Sequence, residues 1–351
     1  MTSHSPDRTP AGALPRVVLL DSFGDLEDVA EELDGLPVEV SRAECVPSGA
    51  GIAALLLGPK TALTAAQVAA LPDLRIVAVT AAGYDHVPLD AVAAAGAWVT
   101  SSAGYCTDEV AEHTMALVLG QLRQVTVLDR SVRQGHWDVE RARPRTAAGS
   151  VLGLVGFGRI GQAVAERAAA LGMRVAAHDP TAPAAAFDRR SVTRHDDLAG
   201  LLATADTVSL HLPLTPATEG IIGAQSLAMM KPGAYLVNVS RGGLVDHKAL
   251  AAALASGRLA GAALDVLPTE PPPADEPLLA HDRVIINPHA AWYSPQARAR
   301  PFRMAAGYVA DVLQGREPAG AVARPLTNTA SPLTTKPTAS AVSPQAVKDH
   351  Q

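Results

Sequence analysis

One glycine-rich segment restricts the fold of this chain more than any other feature. Val151 to Val155 form a short apolar run typical of a buried strand, and Gly156-Phe157-Gly158-Arg159-Ile160-Gly161 follows it directly. The next residues, Gln162 to Leu171, have the spacing of a helix. A strand, a G-x-G-x-x-G turn and a helix in this order are typical of a βαβ unit that binds a dinucleotide.

Each glycine of this segment has its own physical task. We expect Gly156 to make a tight turn, Gly158 to let a pyrophosphate approach the backbone, and Gly161 to let the helix pack on the strand. The pyrophosphate would bind free N–H groups at the start of the helix. Asp179 follows the next apolar run at a spacing of roughly 20 residues, where a carboxylate can accept hydrogen bonds from the adenosine ribose. No Lys or Arg comes directly after Asp179 to meet a 2′-phosphate, so we predict NAD(H) as the cofactor.

Length, charge and cysteine content exclude several classes of protein. A chain of 351 residues is long enough for two domains. Its net charge of −6, without a basic block, argues against direct nucleic-acid binding. Cys45 and Cys106 form no CxxC or cysteine–histidine cluster, so we expect neither a disulfide scaffold nor a metal site. No apolar run reaches the ~18 residues that span a bilayer, and the first 15 residues lack a signal-peptide core, so we expect a cytoplasmic protein without a membrane partner.

Short apolar runs alternate with helix-like segments along the chain, which is typical of parallel α/β sheets. Before the glycine segment the expected strands are Arg16–Asp21, Val38–Val40, Ile52–Leu57, Leu74–Val79 and Ala97–Thr100. From Val151 onward the pattern predicts six or seven more. The predicted fold class is therefore α/β with two doubly wound domains, a flavodoxin-like substrate domain and a Rossmann dinucleotide-binding domain.

Three charged or polar side chains follow different predicted strands of the second domain. In parallel sheets, ligands bind beyond the carboxyl ends of the strands. Arg241 offers a forked cation for a carboxylate, and His289 can give a proton to a carbonyl oxygen and take it back in the reverse reaction. Glu270 can hold the imidazolium. Each residue type alone is common in surface loops, but together they predict a carbonyl-reduction site that uses hydride from a nicotinamide cofactor.

A turn from Thr80 to Asp85 follows the fourth predicted strand of the first domain. The backbone N–H groups of Ala82 and Gly83 are placed to hold a substrate anion there. The alternative is an ordinary glycine turn before the next helix.

Several segments resemble the D-isomer-specific 2-hydroxyacid dehydrogenases. They are AAGYD (81–85), YCTDEVAEHTMAL (105–117), GLVGFGRIGQAVAERAAALGMRVAAHDP (153–180), VSLHLPLT (208–215), MMKPGAYLVNVSRGGLVD (229–246), GAALDVLPTEPP (261–272) and NPHAAWYS (287–294). The resemblance implies that a 2-oxo acid and a D-2-hydroxy acid are interconverted with NAD, with Arg241 binding substrate and Glu270 and His289 as the acid–base pair. It implies dinucleotide contacts from Val110, Gly156, Phe157, Gly158, Arg159, Ile160, Gly161, Asp179, Leu212, Pro213, Thr218, Val239, Ser240, Arg241, Asp265 and His289. Asp265 would hold the nicotinamide carboxamide.

The same resemblance implies how the domains are arranged along the chain. A discontinuous substrate domain is expected at 16–104 and 293–320, around an NAD-binding domain at 105–292 that forms a homodimer through its long helix. Within the last helix, Pro301 is expected to cause a kink or a restart. Residues 1–15 and 321–351 have the composition of disordered termini.

Two alternatives stay open at this stage. His289 to Ser294 looks most like the C-terminal-binding proteins, so an NAD(H)-responsive corepressor-like binding module with residual dehydrogenase activity is the alternative function. Trp292 either packs inside the protein or forms a wall of the substrate pocket. The second possibility favours a 2-oxo acid with an unbranched apolar or thioether tail.

Overall fold

The computed structural model describes residues 14–21 and 23–326, which divide into two compact units. Unit 1 runs to Ala103 and resumes at Arg298, and unit 2 is Gly104–Ala297. The strands are β1 (Arg16–Leu20), β2 (Glu39–Arg42), β3 (Ile52–Leu57), β4 (Ile76–Val79), β5 (Trp98–Ser101), β6 (Val151–Val155), β7 (Arg174–His178), β8 (Thr193–Arg194), β9 (Thr207–Leu210), β10 (Ala234–Asn238), β11 (Leu259–Leu264), β12 (Val284–Ile286) and β13 (Ala321–Ala323). The helices are α1 (Leu26–Glu32), α2 (Ala65–Ala69), α3 (Leu89–Ala94), α4 (Thr107–Arg123), α5 (Val125–Arg133), α6 (Arg159–Ala170), α7 (Ala184–Asp188), α8 (Leu198–Thr204), α9 (Ala224–Met229), α10 (His247–Ala255) and α11 (Pro295–Leu313).

Unit 1 is built on a sheet with the order β13-β5-β4-β3-β1-β2. Strands β1 to β5 pair in parallel in the flavodoxin-like order 2-1-3-4-5. All six residues of β3 are buried, which explains its unbroken apolar run, because a strand covered on both faces does not alternate with polar residues. The predicted flavodoxin-like domain is confirmed.

The strand β13 corrects the expectation that disorder begins at residue 321. Ala321 and Ala323 pair antiparallel with Thr100 and Val99 of β5, and Ser101 N donates to Gly320 O at 2.9 Å. This segment is ordered because it covers the unpaired edge of β5, a partner that its own composition does not reveal. At the other end, Pro15 O accepts a hydrogen bond from Glu39 N. The rest of the two termini expected to be disordered, 1–13 and 327–351, lies outside the described residues.

The helix α11 continues as a single helix through Pro301, so the expected restart there does not occur. Phe302 and Val309 of this helix are buried in the same apolar core as residues of β1 and β3. Ser102 Oγ also donates to Pro301 O at 3.0 Å. These tertiary contacts compensate for the hydrogen bond that the proline nitrogen cannot make.

Unit 2 contains a seven-stranded parallel sheet in the order β12-β11-β10-β9-β6-β7-β8. The strand order reverses at β6, which lies between β7 and β9. Ligands of such sheets bind outside the carboxyl ends of the strands, at this switch point. The predicted Rossmann domain is confirmed, and its glycine segment lies at the switch point.

None of the described helices is long and apolar enough to cross a membrane.

Candidate active site

The glycine segment after β6 has the close contacts that its motif requires. Gly156 has φ +93°, and a Cβ there would lie 2.4 Å from His211 O. A Cβ on Gly161 would lie 2.6 Å from Gly156 O. A Cβ on Gly158, in contrast, would meet no described atom within 4 Å. Two glycines therefore permit tight packing, and the third leaves open space beside the backbone, which is what a bound pyrophosphate needs.

The helix α6 begins at this open position. Its N-cap is Gly158, and within the described structure no side chain caps its first turn. The first N–H groups of a helix lack partners inside the helix and carry its positive dipole end, so this terminus suits a phosphate. Arg159 is exposed and Ile160 is half-buried at the same end.

Asp179 follows β7 and is tied to the glycine segment. Its Oδ2 accepts from Phe157 N at 2.8 Å, and its Oδ1 accepts from Thr181 N at 2.8 Å, Thr181 Oγ1 at 2.7 Å and Ala182 N at 3.1 Å. Burial alone would raise the pKa of Asp179, but these hydrogen bonds outweigh it and hold the pKa below its ordinary value. The carboxylate is therefore anionic and fixed beside the glycine turn.

Phe157, which the resemblance placed among the dinucleotide contacts, supports the loop from inside. Its ring is fully buried and stacks on Phe187 with centroids 4.6 Å apart. Its N–H donates to Asp179, and its carbonyl accepts from Gln162 Nε2 at 2.9 Å. The side chain and both backbone polar groups of Phe157 are therefore engaged within the protein.

Two hydroxyl groups hold the loops after β9 and β10. Thr218 Oγ1 donates to Pro213 O at 2.7 Å and accepts from Thr215 N at 2.8 Å, and Ser240 Oγ donates to Leu210 O at 2.8 Å. Leu212, just before Pro213, is half-buried, and Val239, just before Ser240, is buried. These four expected dinucleotide contacts and Pro213 lie at the carboxyl edge of the sheet, whereas Val110 is buried on α4.

Arg241, Glu270 and His289 follow β10, β11 and β12, which are three neighbouring parallel strands. Their loops therefore leave the same edge of the sheet. A Cβ on Gly242 would lie 2.0 Å from the carbonyl carbon of Leu267, so this glycine lets the loop that leads to Glu270 pack on the Arg241 turn. Arg241 Nη1 donates to Ser240 O at 2.8 Å.

Glu270 and His289 form a direct pair. His289 Nδ1 lies 2.8 Å from Glu270 Oε2, and Leu267 N donates to Glu270 Oε1 at 3.0 Å. The two side chains are 40% and 39% exposed, so the pair is accessible. A carboxylate bound at Nδ1 orients the ring and leaves Nε2 for a ligand.

The backbone of His289 is held in an unusual conformation. Its φ of +54° lies in the left-handed region, which is uncommon for residues other than glycine. His289 N donates to Asp265 O at 2.7 Å, and the Asp265 carboxylate accepts from Ala290 N and Ala291 N at 2.9 Å each. Such strain persists where surrounding contacts hold it, and it is common at functional sites.

Asp265 therefore has a role that the sequence did not reveal. The resemblance assigned it to the nicotinamide carboxamide, which stays a prediction, and in the structure its two enclosed oxygens also accept from the 290–291 backbone. Its partners lie in a loop far along the chain, and no local pattern marks such a contact.

Trp292 belongs to an aromatic group. Its ring centroid lies 6.2 Å from that of Tyr105 and 5.5 Å from that of Tyr293, and the indole remains half-buried. The ring packs against aromatic side chains of unit 2 and keeps part of its surface accessible, and its place in the substrate pocket stays a prediction.

In unit 1, Ala82 and Gly83 follow β4. Ser101 Oγ donates to Ala82 O at 2.9 Å, which holds this turn. The N–H groups of Ala82 and Gly83 donate to no acceptor in the part of the chain that the structure describes. Two such groups in one turn suit an anion.

Comparison with known proteins agrees with this arrangement. Residues 115–291 match the family model described as D-isomer specific 2-hydroxyacid dehydrogenase, NAD binding domain. The (S)-sulfolactate dehydrogenase of Chromohalobacter salexigens is 39% identical over 280 residues, which cover 80% of this chain and 90% of that protein. The glyoxylate reductase of Korarchaeum cryptofilum is 42% identical over 241 residues, which cover 68% and 72%.

A solved structure shows the same fold. The holo D-mandelate dehydrogenase of Rhodotorula graminis aligns with a TM-score of 0.80 and 26% identity, covering 90% of this chain and 99% of that one. These similarities give no support to the corepressor-like alternative, and the likeness to C-terminal-binding proteins stays a prediction. The chain belongs to the D-isomer specific 2-hydroxyacid dehydrogenases, and it is an NAD-dependent oxidoreductase with unit 2 as its NAD-binding domain.

Proposed function

We propose that Arg241, Glu270 and His289 together interconvert a 2-oxo acid and a D-2-hydroxy acid. The observation that carries this proposal is the 2.8 Å contact between Glu270 Oε2 and His289 Nδ1. The loops of all three residues leave neighbouring strands at one sheet edge. A base, its orienting carboxylate and a forked cation are the groups that carbonyl reduction requires.

Each side chain has a defined task. The guanidinium of Arg241 binds the substrate carboxylate through its paired N–H groups. His289 donates a proton from Nε2 to the carbonyl oxygen during reduction and accepts it again during oxidation. Glu270 holds the ring at Nδ1 and stabilises its positive charge. Bound NAD(H) supplies or accepts the hydride.

The residues that would hold the dinucleotide surround the switch point. The open space beside Gly158 and the N–H groups in the first turn of α6, which no side chain caps among the described residues, suit the pyrophosphate. The anionic Asp179 suits the ribose hydroxyls and disfavours a 2′-phosphate. Val110 and the loops after β9 and β10 supply further dinucleotide contacts in this proposal.

The substrate also carries a tail beyond its 2-oxo acid group. The Ala82 and Gly83 N–H groups bind the substrate anion, and Trp292 forms a wall of the tail pocket. An accessible indole favours an unbranched apolar or thioether tail, as in 4-methylthio-2-oxobutyrate. The 39% identity to a sulfolactate dehydrogenase favours a second candidate, an anionic tail as in sulfopyruvate.

The test is NADH oxidation with a panel of glyoxylate, 4-methylthio-2-oxobutyrate and sulfopyruvate. Turnover at about 1–10³ per second with one of them is expected. His289→Ala should lower kcat by about 10²–10⁴, the usual scale of general acid–base catalysis. The matched control is His136→Ala, an exposed histidine after α5. Near-full turnover of His289→Ala would show that this assignment is wrong.

We also propose that the enzyme is a cytoplasmic homodimer. Four large apolar side chains on and just after α5 are exposed. They are Val125 (56%), Val132 (49%), Trp137 (91%) and Val139 (81%). Large apolar side chains exposed close together in the chain favour a protein interface, and a second copy would cover them. Light scattering should give twice the 36.1 kDa chain mass, and Trp137→Glu should reduce it to one chain. A monomeric wild-type protein would refute the dimer.

A further inference from the structure

One face of α4 lies behind the loop that carries His289. Glu109 and His113 are four residues apart and therefore share a face of this helix. Glu109 Oε1 accepts from Ser294 Oγ at 3.0 Å, and His113 Nε2 lies 3.7 Å from Asp265 Oδ1. The helix thus contacts the end of the loop directly at Ser294, and it contacts the beginning of the loop indirectly, through Asp265.

The Nε2 atom of His113 is enclosed and makes no hydrogen bond with any described residue. Its 3.7 Å separation from Asp265 Oδ1 is too long for a hydrogen bond but close enough for a strong electrostatic contact. An unprotonated Nε2 would direct a lone pair at an anionic oxygen, which is repulsive. This repulsion favours a proton on Nε2 in either the neutral or the charged ring.

Asp265 needs such a partner. Its side chain is 0% exposed, and among the described residues His113 is the only basic side chain within 4 Å of it. A buried carboxylate is costly unless hydrogen bonds and positive charge compensate for lost hydration. The two backbone N–H groups of Ala290 and Ala291 supply part of that compensation.

We propose that His113 is a positioning residue for the acid–base histidine, and this rests on the function proposed above for His289. The Nε2–H of His113 stabilises the Asp265 carboxylate, and that carboxylate holds the 289–291 backbone in its left-handed turn. Without His113 the carboxylate turns toward water, and the loop loses two hydrogen bonds. His289 then samples orientations away from the substrate carbonyl.

Amide hydrogen exchange of the full chain without cofactor tests the positioning step independently of activity. His113→Leu should speed exchange in the 287–294 segment by about tenfold, because opening this loop becomes easier. His113→Gln keeps an N–H donor on the same helix face and should restore most of the protection. The matched control is Glu112→Gln, an exposed neighbour that contacts Arg167, and it should leave the segment unchanged.

Kinetics complete the test. His113→Leu should lower kcat by about tenfold while KM for NADH changes by less than about twofold, since the proposed pyrophosphate and ribose contacts at Gly158 and Asp179 are retained. Wild-type exchange in His113→Leu would overturn the proposal, as would faster exchange spread evenly over the unit 2 sheet. If His289→Ala retains turnover, the proposed function fails, whereas the exchange result still decides what holds the loop.

Discussion

Protonation of His211 should destabilise the protein in acid. This residue comes directly after β9, and its backbone packs against the glycine turn. A Cβ on Gly156 would lie 2.4 Å from its carbonyl oxygen. Ser209 Oγ lies 2.9 Å from His211 Nε2, while the Nδ1 atom is enclosed without a hydrogen-bond partner among the described residues. Burial lowers the pKa of His211 from 6.5 to about 3.

The sign and size of the effect follow from linkage. The unfolded chain binds a proton at His211 below pH 6.5, whereas the folded chain does not until pH is near 3. The free energy of unfolding is therefore unaffected by this group above pH 6.5 and falls as pH decreases toward 3. A pH of 4 is about 2.5 units below the ordinary histidine pKa of 6.5. At about 1.4 kcal/mol per unit, the free energy of unfolding is lower there by about 3 kcal/mol. Because the residue as a whole is only half-buried, this figure is an upper limit.

Urea unfolding of the wild type and of His211→Asn at pH 7 and pH 4 measures this loss. Asn keeps a polar partner for Ser209 but does not titrate, so the wild type should lose up to about 3 kcal/mol more than the variant. Hydrogen bonds outweigh burial and lower the pKa of Asp179 and of Asp206. Protonation of these two carboxylates in acid therefore also destabilises the protein, but by the same amount in the wild type and in His211→Asn. His136→Asn, at an exposed position, is the control. Equal losses in wild type and His211→Asn would refute the reasoning.

Three further predictions concern the active site. The kcat/KM should favour NADH over NADPH, and Asp179→Ala should reduce that preference because the fixed anion is gone; a wild-type preference for NADPH would contradict the role of Asp179. Glu270→Gln should lower kcat for reduction, because the His289 ring loses the carboxylate that orients it through Nδ1; an unchanged kcat would exclude that role. Trp292→Ala should lower kcat/KM for apolar 2-oxo acids by about tenfold, the loss of one apolar contact of roughly 1–3 kcal/mol, while barely changing it for glyoxylate. Equal losses on both substrates would identify Trp292 as a structural residue.

The unit 2 sheet and the location of its site could be predicted from the sequence because the necessary signals are local. An apolar run, three glycines at fixed spacing and a helix lie next to one another between Val151 and Leu171. Arg241, Glu270 and His289 each come soon after a strand. Since neighbouring parallel strands end at one edge, strand assignment alone predicts that their loops converge.

Hydrogen-bond partners that lie in distant parts of the chain could be identified only from the tertiary structure. Sequence spacing placed Asp265 at a strand end, but only the fold shows its carboxylate bound to the 290–291 backbone and facing His113. The ordered β13 segment likewise depends on the free edge of β5.

The sequence by itself determined the two α/β sheets, the glycine turn and the strand ends that carry the reactive side chains, because each depends on residues close together in the chain. Only the tertiary structure decided that Phe157 packs inward and which atoms join the expected His289–Glu270 pair, Nδ1 and Oε2 at 2.8 Å. The direction of a side chain and the length of a contact depend on how separate loops fold against one another, and residue spacing along the chain does not specify that.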